Sequence, residues 1–239
     1  MTGIRATRSL LLALAVATGA PAQVSSTNRL DIGQKMKQNA ISLTHYTYKR
    51  RTEVVLKGQP RGARVDLVRY VDGHKETIPL ETPARTEPSR RGRGLRGKLV
   101  EKKIEKKKEK MRAEIERLRG VMNGYLSPDS DSMRSILRKA EISKNGSGPD
   151  AQIRLTAVGL KQPSDSFTMV WSRATGQPVS IEIRAAAEGK PVQHSVNYST
   201  LPDGTFFPAK TVISSSKKNV LLTITRFDYT GSPQAHRSN

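Results

Sequence analysis

From Ala151 to Thr230 apolar and polar residues take turns with a period of two. Ile153, Leu155 and Ala157 alternate with polar neighbours, and so do Phe167, Met169 and Trp171. After the turn Arg173-Ala174-Thr175-Gly176 the pattern resumes at Val179, Ile181 and Ile183, then at Val192, His194, Val196 and Tyr198. Leu201-Pro202-Asp203-Gly204 makes the next turn. Phe207, Ala209, Thr211 and Ile213 follow it, and Val220, Leu222 and Ile224 close the set. Such alternation puts one face of each strand in a core, and strands at intervals of about ten residues joined by short turns predict an antiparallel meander.

The first third of the chain mixes both periods. Ile32, Met36 and Ala40 recur at fourfold spacing and predict a short helix after a linker that begins at residue 23. Thr44 to Lys57 is rich in Tyr, Thr and Val, residues 58–62 read as a turn, and Val65, Leu67, Arg69 and Val71 form a second strand. Asp72-Gly73 supplies the positive φ angles of a type I′ hairpin, with His74 to Leu80 returning. Prolines and then the Arg/Gly-rich run Arg90 to Gly97 break this order between residues 81 and 97. A long helix is predicted from Lys98 to Tyr125, with Val100, Ile104, Met111, Ile115, Leu118 and Met122 on one face and Lys and Glu on the other. A short helix through Met133, Ile136, Leu137 and Ala140 ends near Asn145-Gly146.

These elements predict one α+β domain over residues 23–230, with a basic loop and helix inserted at 81–125 and a flexible tail at 231–239. Its centre is a strongly curved antiparallel sheet of eight to ten strands, an incomplete barrel, with helices on the concave face.

Residues 1–22 carry two arginines, the apolar run Leu10 to Val16 and the small residues Ala20-Pro21-Ala22, the order of a secretory signal cleaved at Ala22-Gln23. The apolar run is far short of the ~20 residues a spanning helix needs. The expected location is the periplasm, or the extracellular space. The chain has no cysteine, which removes disulfides, thiolate metal sites and cysteine nucleophiles. It carries 42 Lys+Arg against 21 Asp+Glu, a formal net charge of +21, which implies attraction to a polyanion. Export and an aromatic content of 5% disfavour nucleic acid among the polyanions.

No motif for catalysis stands out. His45, His74, His194 and His236 lack metal-ligand spacing, and no serine sits in a Gly-x-Ser-x-Gly elbow. Neither an enzyme nor a metal or cofactor is expected. Three groups are candidates for binding. Arg90, Arg91, Arg93, Arg96, Lys98, Lys102 and Lys103 form a basic stretch for anionic headgroups, or else a solvated surface. Ile104, Met111, Ile115, Leu118 and Met122 are a stripe that either packs on the sheet or also serves as a lid. Phe167, Met169, Trp171, Ile181, Ile183, Val196, Tyr198, Leu222 and Ile224 point inward, as the lining of an apolar cavity or as plain core.

Element order, with Trp171 followed by the Thr175-Gly176-Gln177-Pro178 turn and with Pro208-Ala209-Lys210 on a later strand, resembles the superfamily of periplasmic lipoprotein carriers and outer-membrane lipoprotein-sorting proteins. The resemblance implies an incomplete barrel whose helix-covered hollow shelters acyl chains. The expected function is therefore a non-covalent lipid or lipoprotein carrier. Its partners would be acyl chains and an anionic membrane surface or envelope protein, and a monomer is the expected working unit. A non-enzymatic envelope sensor, binding a protein or an acidic polysaccharide on the same scaffold, is the alternative.

Overall fold

The computed structural model describes residues 26–81, 95–126, 131–148, 151–187, 189–216 and 219–231. The proposed signal segment, the arginines at 90, 91 and 93, and all of the tail except Gly231 lie outside them. Among the described residues are three helices and ten strands: α1 (Ser26–Leu43), β1 (Thr47–Leu56), β2 (Gln59–Val71), β3 (His74–Glu81), α2 (Leu95–Leu126), α3 (Asp131–Lys139), β4 (Glu141–Asn145), β5 (Gln152–Val158), β6 (Ser166–Ser172), β7 (Gln177–Ala187), β8 (Lys190–Thr200), β9 (Phe206–Ser215) and β10 (Val220–Thr230). The strands make one sheet in the order β3-β2-β1-β10-β9-β8-β7-β6-β5-β4, with every pairing antiparallel.

Neighbours in sequence are neighbours in space except at one seam, where β1 pairs with β10. That seam puts β3 at one edge and β4 at the other, so the chain must cross the sheet between them. Ten strands at about 4.8 Å spacing set the edges roughly 43 Å apart, and the 32 residues of α2 give a rod of roughly 48 Å. The long amphipathic helix lies within this crossover, and the strand it contacts most is β7.

Several local expectations shift. β4 is a five-residue edge strand that the alternation did not predict. The helix α2 begins at Leu95, three residues before Lys98. The first hairpin turns on Lys57-Gly58, both with positive φ, so the remainder of 58–62 already belongs to β2, where the register slips near Gly62. Asp72 and Gly73 have φ of 51° and 76°, the type I′ geometry their residue types favour.

The core lies on one side of the sheet. Along β6 the residues Phe167, Met169 and Trp171 are buried and their neighbours are not. Onto the same face Ile32 and Met36 of α1, Leu118 and Tyr125 of α2, and Ile136 and Leu137 of α3 bring further buried apolar groups. The opposite face carries Arg154, Glu182, Arg184 and Gln193 among its exposed and half-buried residues.

Candidate functional site

Strand pairing places the inward residues in rows across the sheet. Ala157, Phe167, Ile183, His194, Ile213, Leu222 and Val54 follow one another through successive pairings, and beside them run Leu155, Met169, Ile181, Val196, Thr211, Ile224 and Thr52. The nine residues singled out from the sequence come together here. Phe167, Met169, Trp171, Ile181, Ile183, Val196, Leu222 and Ile224 are buried in one cluster, and Tyr198 packs against it half-buried. In the conformation described, the space above them is occupied by side chains of the three helices. A shallow cavity of about 500 Å³ lies instead at the β7–β8 end, lined by Ser164, Arg184, Pro191, Val192, Gln193 and Ser214 among others.

Among its described side chains, those by which α2 packs inward run from Met111 to Tyr125. Leu118 is fully buried, while Ile115 and Met111 are half-buried. Ile104 and Met122 belong to α2, but their side chains are outside those described, as are those of Arg96 and Lys98. One turn after the stripe ends, Tyr125 donates its hydroxyl to Asp165 at 2.7 Å. Asp165 is buried and also accepts from the backbone N–H groups of Gln162 (2.9 Å), Lys161 (3.3 Å) and Ala186 (3.4 Å). One carboxylate therefore ties the β5–β6 loop, β7 and α2 together. Burial raises the Tyr125 pKa, and the hydrogen bond to Asp165 adds to it, so the phenol stays a donor.

The helix α1 is fixed at the other end of the face. The Asn39 amide donates to the Phe206 carbonyl at 2.6 Å and accepts from the Phe206 N–H at 2.8 Å, a side chain imitating a strand partner. Phe206 in turn meets Trp171 and Tyr198 edge-on. In the Thr-Gly-x-Pro turn, Gly176 has a φ of 63°, and a Cβ there would come within 2.7 Å of Lys35 Nζ on α1. The positive φ favours glycine here, whereas the Lys35 ammonium, at the end of a flexible exposed side chain, could move aside.

Beyond the apolar rows the same face turns polar. Alternation places Arg226 on the side of Leu222 and Ile224, and it lies directly opposite Arg50 of β1. Arg50 lies opposite Asp66 of β2 and donates to it at 2.9 Å, and Arg64 Nε binds the other carboxylate oxygen. Arg226 instead donates to the Pro208 carbonyl (2.8 Å) and to Thr211 Oγ1 (3.1 Å). Around these stand Tyr48, stacked on Tyr229 with centroids 4.8 Å apart, together with Tyr70 and Tyr198. Burial pushes Tyr198 up to about 12 and raises Tyr70 and Tyr229, while the nearby Arg226 opposes the rise in each. His194 is 2% exposed, its Nδ1 has no partner, and burial, aided by Arg226, pushes its pKa down to about 4.

Lys102 and Lys103 are exposed on α2. Sequence reading missed Tyr125, Asp165, Asp66, Arg50 and Arg226. Tyr125 was within reach, because it continues the three- and four-residue spacing of Ile115, Leu118 and Met122. The arginines were not, since nothing local reveals that β1 and β10 pair.

No family model and no curated protein matches the sequence significantly. Among solved structures the chain is similar to a DUF1329 family protein from Desulfovibrio piger, at TM-score 0.43 and 9% identity over 87% of this chain and 94% of that one. It is similar also to a domain described as an outer membrane lipoprotein-sorting protein from Vibrio parahaemolyticus, at 0.40 and 9% over 87% and 94%. A LolA superfamily protein from Nitrosomonas europaea aligns at 0.34 and 8% over 84% and 92%.

Proposed function

We propose that this is an exported, non-enzymatic carrier that holds lipid or lipoprotein acyl chains between the sheet and α2, works as a monomer in the periplasm, and docks on anionic membrane through its basic segment. One observation carries the reading: the apolar face of a single sheet is closed by a strap helix, not by a second sheet. Among the described side chains, Leu118 and the Tyr125–Asp165 bond hold that strap. A second sheet would share many strand contacts, whereas a helix so attached lifts without unpairing a strand. Register slips in β1–β2, β2–β3, β1–β10, β6–β7 and β8–β9 bend and twist a sheet, which supports placing the helices on a concave face. Buried acyl chain would then replace buried helix at ~25 cal/mol per Å² on both sides of the exchange.

The close packing of the nine inward residues favours a second reading, an envelope sensor or interaction protein whose sheet face stays filled. Native mass spectrometry of protein purified from the periplasm, followed by hydrogen exchange with and without lipid, separates the two. The carrier reading expects stoichiometric acylated ligand and faster exchange along α2 in the loaded protein, with β6 to β8 unchanged. A clean apo mass after incubation with lipid sinks it and leaves the sensor.

A further inference from the structure

The polar half of the inward face holds a local excess of positive charge that the fold does not need. Arg226 and Arg50 sit directly opposite each other on adjacent strands, an arrangement in which like charges repel. Asp66 is the carboxylate that Arg50 and Arg64 share, while Asp228, two residues on from Arg226, has a positive φ and pairs with Lys49. No described carboxylate pairs with Arg226, whose two hydrogen bonds go to a carbonyl and a hydroxyl. The Arg50 side chain is 19% exposed and its Nε is buried without a partner. Three guanidinium groups thus stand near one carboxylate, a half-buried excess of charge that costs stability, and local costs of this kind are kept where a ligand offsets them.

The surroundings fit an anion. Planar guanidinium forks match carboxylate and phosphate oxygens, Tyr70, Tyr198 and Tyr229 lie near enough to Arg226 to feel its charge, and Tyr48 stacks on Tyr229. The apolar rows are continuous with the site, since Ile224 and Leu222 precede Arg226 on β10 and Tyr198 packs against the core. Helices α2 and α3 reach β7 and β5, away from β10, β1 and β2.

We propose that Arg226 and Arg50 form a headgroup site for a phosphate- or carboxylate-bearing amphiphile whose chain runs onto the apolar face. This rests on the carrier reading and narrows its cargo to anionic lipids.

The test presents the full chain with vesicles of phosphatidylglycerol mixed with diacylglycerol, at high salt to screen the exposed lysines, and reads bound lipid by native mass spectrometry. Inorganic phosphate alone is titrated by calorimetry in parallel. Wild type is expected to prefer phosphatidylglycerol, and Arg226→Gln to lose roughly tenfold or more of that binding while keeping diacylglycerol. Arg226→Lys, which keeps the charge, is expected to fall between the two and guards against a folding defect. Equal retention of both lipids in Arg226→Gln overturns the headgroup site and leaves the carrier standing. Phosphate binding that is lost in Arg226→Gln, with no lipid bound to wild type, overturns the carrier and with it the amphiphile, leaving a free-anion site. Binding of neither ligand overturns both.

Discussion

His194 shows how a single residue on a strand face sets a condition for the whole fold. Its imidazole is buried among Ile183, Ile213 and their neighbours, with Arg226 near enough to oppose protonation. Because its folded pKa, about 4, lies below the ordinary 6.5, the unfolded chain takes up a proton in that window that the folded chain refuses. The stability it contributes is complete above pH 6.5 and is lost as the pH falls toward 4, by up to about 3 kcal/mol. Urea unfolding at pH 7.5 and pH 5 should therefore show a loss in wild type that is largely absent in His194→Leu, which also removes the orphaned Nδ1. Parallel losses in both proteins would place the acid sensitivity elsewhere. Sequence alternation was enough to place His194 inward, since Val192 and Val196 flank it at the right spacing. It was not enough to place Arg226 and Arg50 side by side, because 176 residues separate them and only the β1–β10 register joins them.

Among the elements, α2 joins an apolar stripe packed inward to a row of exposed lysines. Its apolar stripe was legible because helical spacing survives in sequence even where lysines crowd it. The strand β4 was not, because it is short, apolar only at Ile142 and held at the edge by β5 alone. If Leu118 and the Tyr125–Asp165 bond hold the strap, two substitutions should separate packing from tethering. Leu118→Ala removes a fully buried side chain and should cost about 3 kcal/mol of global stability. Tyr125→Phe keeps the ring and deletes one hydrogen bond to a buried carboxylate, a cost of about 1–3 kcal/mol. Its effect is expected mostly as faster amide exchange in α2 and the β5–β6 loop, with β7 to β9 unchanged. Uniform acceleration across the sheet in Tyr125→Phe would mean that α2 and the sheet open as one unit, and the strap would then be no lid.

At the scale of the whole molecule the net charge of +21 has to act at a distance, because most of the cations lie on the surface. Lys102, Lys103, Lys106 and Lys110 are exposed along α2, with Glu105 and Glu109 interspersed. On the carrier reading proposed above, a strap that carries this charge would couple docking to opening, since an anionic surface would pull on the element that lifts. Each cation near such a surface adds about 1 kcal/mol, and the glutamates subtract from the sum. Lys102→Gln, Lys103→Gln and Lys106→Gln combined should therefore weaken sedimentation with phosphatidylglycerol vesicles by roughly tenfold to hundredfold. Raising salt should weaken wild type toward the same level, because exposed charges are screened within about 10 Å at 0.1 M. The triple variant should keep its melting temperature, as these side chains are in water in the folded state. Equal binding to phosphatidylcholine vesicles, or binding indifferent to salt, would show instead that the apolar face drives docking and that the lysines serve only to keep the helix in water.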